Sequence, residues 1–148
     1  MIEITGNLWD QNGRKVITTN GYVKKNGCAV MGRGCALEAA EKFPELSRRL
    51  GSFIRERGNH VFCFYVLGPE PIYTFPVKHN WNEKADLKLI ARSAEELVTQ
   101  TFIPRFYGKR DIILPQPGRG NGGLRWEDVR SIIEPILKDD KFKVITFA

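Results

Sequence analysis

Apolar and polar residues repeat with two different periods along this chain, and the switch between them marks the elements. Short strand-like runs occur at Ile2–Thr5, Lys15–Thr19, Val61–Leu67, Ile72–Val77, Asp111–Leu114 and Phe142–Phe147. Val61–Leu67, reading VFCFYVL, is rich in β-branched and aromatic side chains, as a buried strand requires. Turn residues separate these runs: Gln11-Asn12-Gly13 after the first, Gly68-Pro69 and Pro71 between the third and fourth. Helical periodicity is clearest over Glu83–Thr99, where Leu87, Ile90, Ala91, Ala94, Leu97 and Val98 fall on one stripe. Helices are also predicted from about Gly34 to Phe43, over Glu45–Arg57 after Pro44, and over Trp126–Leu137. Pro135 interrupts the last pattern, where its ring and missing N–H should kink or end the helix. Strands interleaved with helices predict an α/β sandwich. No repeat, linker or low-complexity segment divides residues 1–148, so one domain is expected.

Two glycine-rich turns stand out against this pattern. In LPQPGRGNGGLRW, Gly118, Gly120, Gly122 and Gly123 fall between a strand-like run and the helix opening at Trp126. Without Cβ atoms such a backbone can turn its N–H groups toward an anion, and the following helix N-terminus adds partial positive charge. The spacing matches neither GxxxxGK[ST] nor a dinucleotide GxGxxG unit. The second turn, GCAVMGRGCA over Gly27–Ala36, likewise leads into a helix. Two such turns at the carboxyl ends of strands define a cleft in an open α/β sheet.

AVMGRGCA (29–36), IYTFPVKHNW (72–81) and PGRGNGGLRWEDV (117–129), in this order, resemble the macrodomain family. The similarity runs from Ile2 to Phe147 and is nearest to the ADP-ribose hydrolase macrodomains of DNA-ADP-ribosylation antitoxins and terminal ADP-ribose glycohydrolases. The resemblance implies a three-layer α/β/α sandwich with a mixed, about six-stranded sheet. It also implies ADP-ribose binding and hydrolysis of an ADP-ribosyl linkage through the lysine of FP-x-K, here Lys78, which attacks or polarises the distal ribose anomeric carbon. A lysine after a strand is otherwise most often just solvated.

By the same resemblance, Pro117, Gly118, Arg119, Gly120, Asn121, Gly122, Gly123 and Leu124 form the diphosphate and distal-ribose loop. Met31, Gly32, Arg33 and Gly34 wrap the ribose and diphosphate from the other side. Asn20 matches the asparagine that contacts the distal ribose; the loop after it is long, so Asn26 is the alternative counterpart. Asn7, beside Leu8, stands where macrodomains usually carry an aspartate that accepts from the adenine amino group. Phe147 matches an aromatic that stacks on adenine, and equally suits a core position. Two departures matter. Arg119 stands where the antitoxin-like pattern has cysteine, and Gly122 where the eukaryotic glycohydrolases place a catalytic aspartate.

Composition narrows the partners. Lysine and arginine exceed acids by 23 to 17, a net charge of +6, which favours an anionic ligand, small or polymeric. Hydrophobic content of 42% is that of an ordinary globular domain, with no apolar run approaching a membrane span. MIEITGNLWD lacks a signal-peptide pattern, so a cytoplasmic monomer without membrane contact is expected. Cys28, Cys35 and Cys63 show no CxxC pairing, and His60 and His79 lack supporting acids, so neither a metal nor a cofactor is expected. Cys35, at a helix start, invites a lowered thiol pKa, though a small buried role is the commoner one. Trp81 and Trp126 are expected near the cleft walls. Three functions compete: a hydrolase acting on ADP-ribosylated nucleic acid, protein or a derivative; a non-catalytic ADP-ribose reader; and a nucleic-acid-binding protein of steep salt dependence.

Overall fold

Six strands form one sheet in the order β1-β6-β5-β2-β4-β3, in a computed structural model that describes residues 1–66, 70–102 and 111–147. The strands are β1 (Ile2–Thr5), β2 (Arg14–Asn20), β3 (Cys63–Phe64), β4 (Ile72–Lys78), β5 (Ile112–Pro115) and β6 (Phe142–Thr146). All neighbours are parallel except β3, which runs antiparallel to β4 at the edge. Four helices flank the sheet: α1 (Gly34–Lys42), α2 (Leu46–Arg57), α3 (Leu87–Thr101) and α4 (Trp126–Ile133).

Side-chain alternation along the strands sorts the core into two layers. Val16, Ile112, Leu114 and Val144 pack with Ile90, Ala94 and Leu97 of α3 and Val129 and Ile133 of α4. Ile17, Ile72 and Phe64 face Ala36 and Ala39 of α1 and Leu46, Leu50 and Ile54 of α2. This is the expected mixed six-stranded α/β/α arrangement. Among the described residues no helix is long and apolar enough to cross a membrane.

The differences from the periodicity have local causes. The strand expected over Val61–Leu67 pairs only at Cys63–Phe64; Leu67, with the Gly68-Pro69 turn, lies outside the described residues. Side chains take up the neighbouring backbone instead: Val61 N–H donates to Glu96 Oε1, and Phe62 N–H to Thr74 Oγ1. The helix expected from Glu83 opens at Leu87, because the Asp86 carboxylate caps it by accepting from Lys88 N–H at 2.9 Å. Its buried face includes Leu89 and leaves Ala91 only half-buried. α4 stops at Ile133, two residues before Pro135, while Leu137 still packs in the core.

β4 carries Pro76 inside a strand, where a missing N–H normally breaks a ladder. The β2–β4 register shifts there: Thr19 faces Pro76 but Asn20 faces Lys78. Ser93 Oγ donates to the Pro76 carbonyl at 2.6 Å and holds the irregularity. A bulge of this kind re-aims the residue that follows, and that residue region contains Lys78.

Candidate functional site

The carboxyl ends of β2, β4 and β5, adjacent in the sheet, open onto one cavity of about 610 Å³. Asn20 comes from the end of β2, Lys78 from β4, and Pro115 with Gln116 from the end of β5. The β2–α1 loop supplies Met31, Gly32, Arg33 and Gly34, and the β5–α4 loop supplies Gly118, Arg119, Asn121 and Gly122. The volume lies in the range of small-molecule sites.

The start of α1 and Asn121, both on the cavity lining, leave backbone donors unpaired. α1 begins at Gly34 with no side chain capping it, so its first N–H groups and its dipole face the cavity lined by Gly32–Cys35. In the β5–α4 loop a single 3-10 turn, Gly120–Gly122, closes through Gly123 N–H to Gly120 carbonyl at 3.0 Å. Among the described hydrogen bonds, the N–H groups of Gly120 and Asn121 donate to no protein acceptor. Gly32, Gly34 and Gly120 have φ of +62°, +65° and +70°, with nothing within 4 Å of where a Cβ would stand. Gly122 differs: its φ is ordinary and it is buried, with a Cβ position 3.1 Å from Ala85 Cβ.

Lys78 joins the two halves of the site. Its Nζ donates to the Asn121 carbonyl at 3.1 Å and to the Trp81 carbonyl at 3.5 Å. Asn59 Nδ2 fixes the Lys78 carbonyl at 3.0 Å. With Arg33 and Arg119, Lys78 makes the cavity cationic; Glu83 is the one carboxylate among its described lining residues. Arg119 Nη1 is held by Gln116 Oε1 at 2.6 Å.

Asn20 lines the cavity, and its amide is already engaged: Nδ2 donates to the Val30 carbonyl and Oδ1 accepts from Tyr22 N–H, both at 2.9 Å. Asn26 lines a different recess with Arg48 and Arg55. Cys35 lies on the cavity floor, 3.6 Å from Thr18 Oγ1, and burial pushes its thiol pKa up rather than down. Cys35 thus takes the small buried role, and the helix start does not activate its thiol.

Other expected residues lie elsewhere. Pro117, Gly120, Gly123 and Leu124 belong to the loop without lining the cavity. Asn7, Leu8 and Phe147 follow β1 and β6, beyond β5 from the cavity. Asn7 Oδ1 accepts from Trp9 N–H at 2.9 Å and caps a 3-10 turn, Leu8–Asp10, in which Leu8 is buried. Phe147 is 79% exposed, which removes its core reading. Trp81 does line the cavity, but Trp126 packs on the α3–α4 core and donates Nε1–H to Glu3. Thr18, Thr19, Val77, Asn82 and Glu83 line the cavity without having been singled out from sequence. Thr18 and Thr19 lie at the end of β2 and Val77 at the end of β4, and the adjacency of those two strands is what the interleaved pattern does not specify.

No protein-family model matches the chain. A DNA ADP-ribosyl glycohydrolase of Thermus aquaticus is 28% identical over 144 residues, covering 91% of this chain and 37% of that protein. The enzyme of the same name from Mycobacterium tuberculosis is 29% identical over 110 residues, covering 70% and 30% respectively. The chain thus spans about a third of the length of the curated relatives it matches. Among solved structures, the macrodomain of Mycobacterium tuberculosis DarG superposes with a TM-score of 0.78 at 25% identity, covering 99% of this chain and 95% of that one. The macrodomain of Thermus aquaticus DarG gives 0.72 at 25% identity, covering 99% and 97%. Thermosipho africanus DarTG in complex with ADP-ribose shares the fold, with a TM-score of 0.78 at 18% identity over 99% of this chain and 42% of that one.

Proposed function

Because this chain is a macrodomain of the DarG-like group, we propose that it binds ADP-ribose at the strand ends and hydrolyses its linkage to DNA. The observation that carries the reading is the position of Lys78: on the bulged end of β4, bonded to the Asn121 carbonyl of the glycine loop. The diphosphate lies between two sets of free donors, the start of α1 and the N–H of Asn121. Arg33 and Arg119 add charge, and the glycines let the phosphates approach the backbone. Asn20 acts on the ribose indirectly, because its amide holds Val30 and Tyr22 and so fixes the path of the Met31–Gly34 loop. The adenine lies farther along the strand ends, toward the exposed ring of Phe147. Asn7, with Oδ1 shared with Trp9 N–H and no charge, holds it more weakly than a carboxylate would.

In hydrolysis the bond between the distal ribose anomeric carbon and its acceptor breaks. Water oxygen bonds to that carbon and one water proton ends on the acceptor. Lys78 polarises the reacting ribose as charge develops. Glu83, the carboxylate of the cavity, takes that proton from the water and passes it to the departing acceptor, which leaves Glu83 ionised again. One observation favours a reader instead: two Lys78 donors already serve the Asn121 and Trp81 carbonyls. Release of ADP-ribose from a modified oligonucleotide by wild type and by Lys78→Ala distinguishes the two. Loss of release with retained ADP-ribose binding supports the hydrolase; no release by wild type supports the reader.

A further inference from the structure

The β2–α1 loop begins and ends in the cavity, at Asn20 and at Met31–Gly34, and between them it leaves the cavity and crosses onto α2. It is pinned there. Val23 bridges Ala29, Ala29 N–H donates to the Ser47 carbonyl at 2.8 Å, and Arg55 Nη2 donates to the Lys24 carbonyl at 2.8 Å. Gly51 of α2 touches Gly27 so closely that a Cβ would stand 2.0 Å from its carbonyl.

This rigid junction concentrates positive charge. Lys24 and Lys25 project from the loop, and Arg48, Arg49, Arg55 and Arg57 from α2, against only Glu45 and Glu56 nearby in sequence. Among the described residues, the side chains of Lys24, Lys25 and Arg48 are exposed and enter no hydrogen bond or ion pair. Arg48, Arg55 and Glu56, with Asn26 and Ser52, line a separate recess of about 530 Å³. Tyr22, 41% exposed, lies in the chain between Lys24 and Asn20, and its N–H donates to Asn20 Oδ1. Spaced cations with an exposed ring suit a phosphodiester backbone and a base beside it.

We propose that the face formed by Lys24, Lys25 and Arg48 binds the phosphodiester backbone of the single-stranded polynucleotide that carries the ADP-ribose. The proposal rests on the functional reading above: a strand attached at the Lys78 end of the cavity leaves past Asn20 and Tyr22 and lies over the loop and α2. Free ADP-ribose does not reach this face, so it contributes to the affinity of the polymer alone.

The test compares wild type with Lys24→Glu/Lys25→Glu/Arg48→Glu, titrated with ADP-ribose and with an ADP-ribosylated single-stranded oligonucleotide at several salt concentrations. The variant should bind the oligonucleotide at least about tenfold more weakly and lower the log–log salt slope by about 2, as expected for three lost phosphate contacts. Its ADP-ribose affinity should equal that of wild type, which also shows that it is folded. Wild-type oligonucleotide affinity and salt slope in the variant overturn the proposal, as does a wild type that binds ADP-ribose and the oligonucleotide equally well. Failure of wild type to bind ADP-ribose would instead overturn the underlying functional reading.

Discussion

The Lys78 ammonium lies 3.1 Å from the carbonyl oxygen of Asn121, joining the end of β4 to the glycine loop that follows β5. The loop is tied to the β4–α3 connection a second time, by Ala85 N–H to the Gly122 carbonyl at 2.9 Å. The connection is anchored in turn by Asp86 N–H to the Val77 carbonyl, also at 2.9 Å. The lysine is therefore positioned by the same backbone that offers donors to a diphosphate. Binding and chemistry share one frame.

A side chain at Gly122 should break that frame. Its Cβ would press on Ala85 at 3.1 Å, pushing the loop toward the cavity it lines. Gly122→Glu should weaken ADP-ribose binding at least about tenfold, roughly 1.4 kcal/mol. ADP should lose the same factor, because it shares the diphosphate, while adenosine should be nearly unaffected. Calorimetric titration of the three ligands checks this; equal ADP-ribose affinity in both proteins would mean the loop does not hold the diphosphate.

The two glycine turns were legible because clustered glycines mark the sequence directly, whereas FPVK was legible only through its resemblance to the macrodomain FP-x-K. What those marks do individually was not. Gly122 reads in sequence like its neighbours, yet only packing against Ala85 requires it, whereas Gly118 combines a φ of +77° with a Cβ position 2.8 Å from Ile90 Cδ1. The apolar stripe begins at Leu87, where the helix does, but the expected helix was bounded four residues earlier, at Glu83, and the Asp86 cap sets the true start. Glu83 was thereby hidden as a helix residue when it lines the cavity. Val61–Leu67 has strand composition, but the partners of its first N–H groups are the side chains of Glu96 and Thr74, which no period reveals.

Asp86 gives a pH dependence of known sign. The hydrogen bond from His79 Nε2, at 2.8 Å, and the Lys88 N–H hold its carboxyl pKa below the usual value. The stability it contributes is therefore complete above the unfolded carboxylate pKa of about 3.9 and is lost as pH falls through the lower folded value. Asp86→Ala should cost about 1 kcal/mol at neutral pH through the lost cap. Urea unfolding of both proteins should show this gap closing below about pH 4. A gap that persists at low pH would assign the effect to packing.

Glu83→Gln keeps the size of the side chain and removes its capacity to take a proton. Turnover should fall by about 10²-fold or more, with ADP-ribose affinity unchanged. Single-turnover kinetics on an ADP-ribosylated oligonucleotide measures this. An unaltered rate would remove Glu83 from the mechanism.

The most direct measurement is ADP-ribose release from ADP-ribosylated single-stranded DNA by wild type and by Lys78→Ala, alongside ADP-ribose binding by both. Wild type should release ADP-ribose, and Lys78→Ala should lose at least about 10²-fold in rate, roughly 2.7 kcal/mol of transition-state stabilisation. The variant should still bind ADP-ribose, because the donors of α1 and of Asn121 remain. Equal release by the two proteins would contradict the account at its centre.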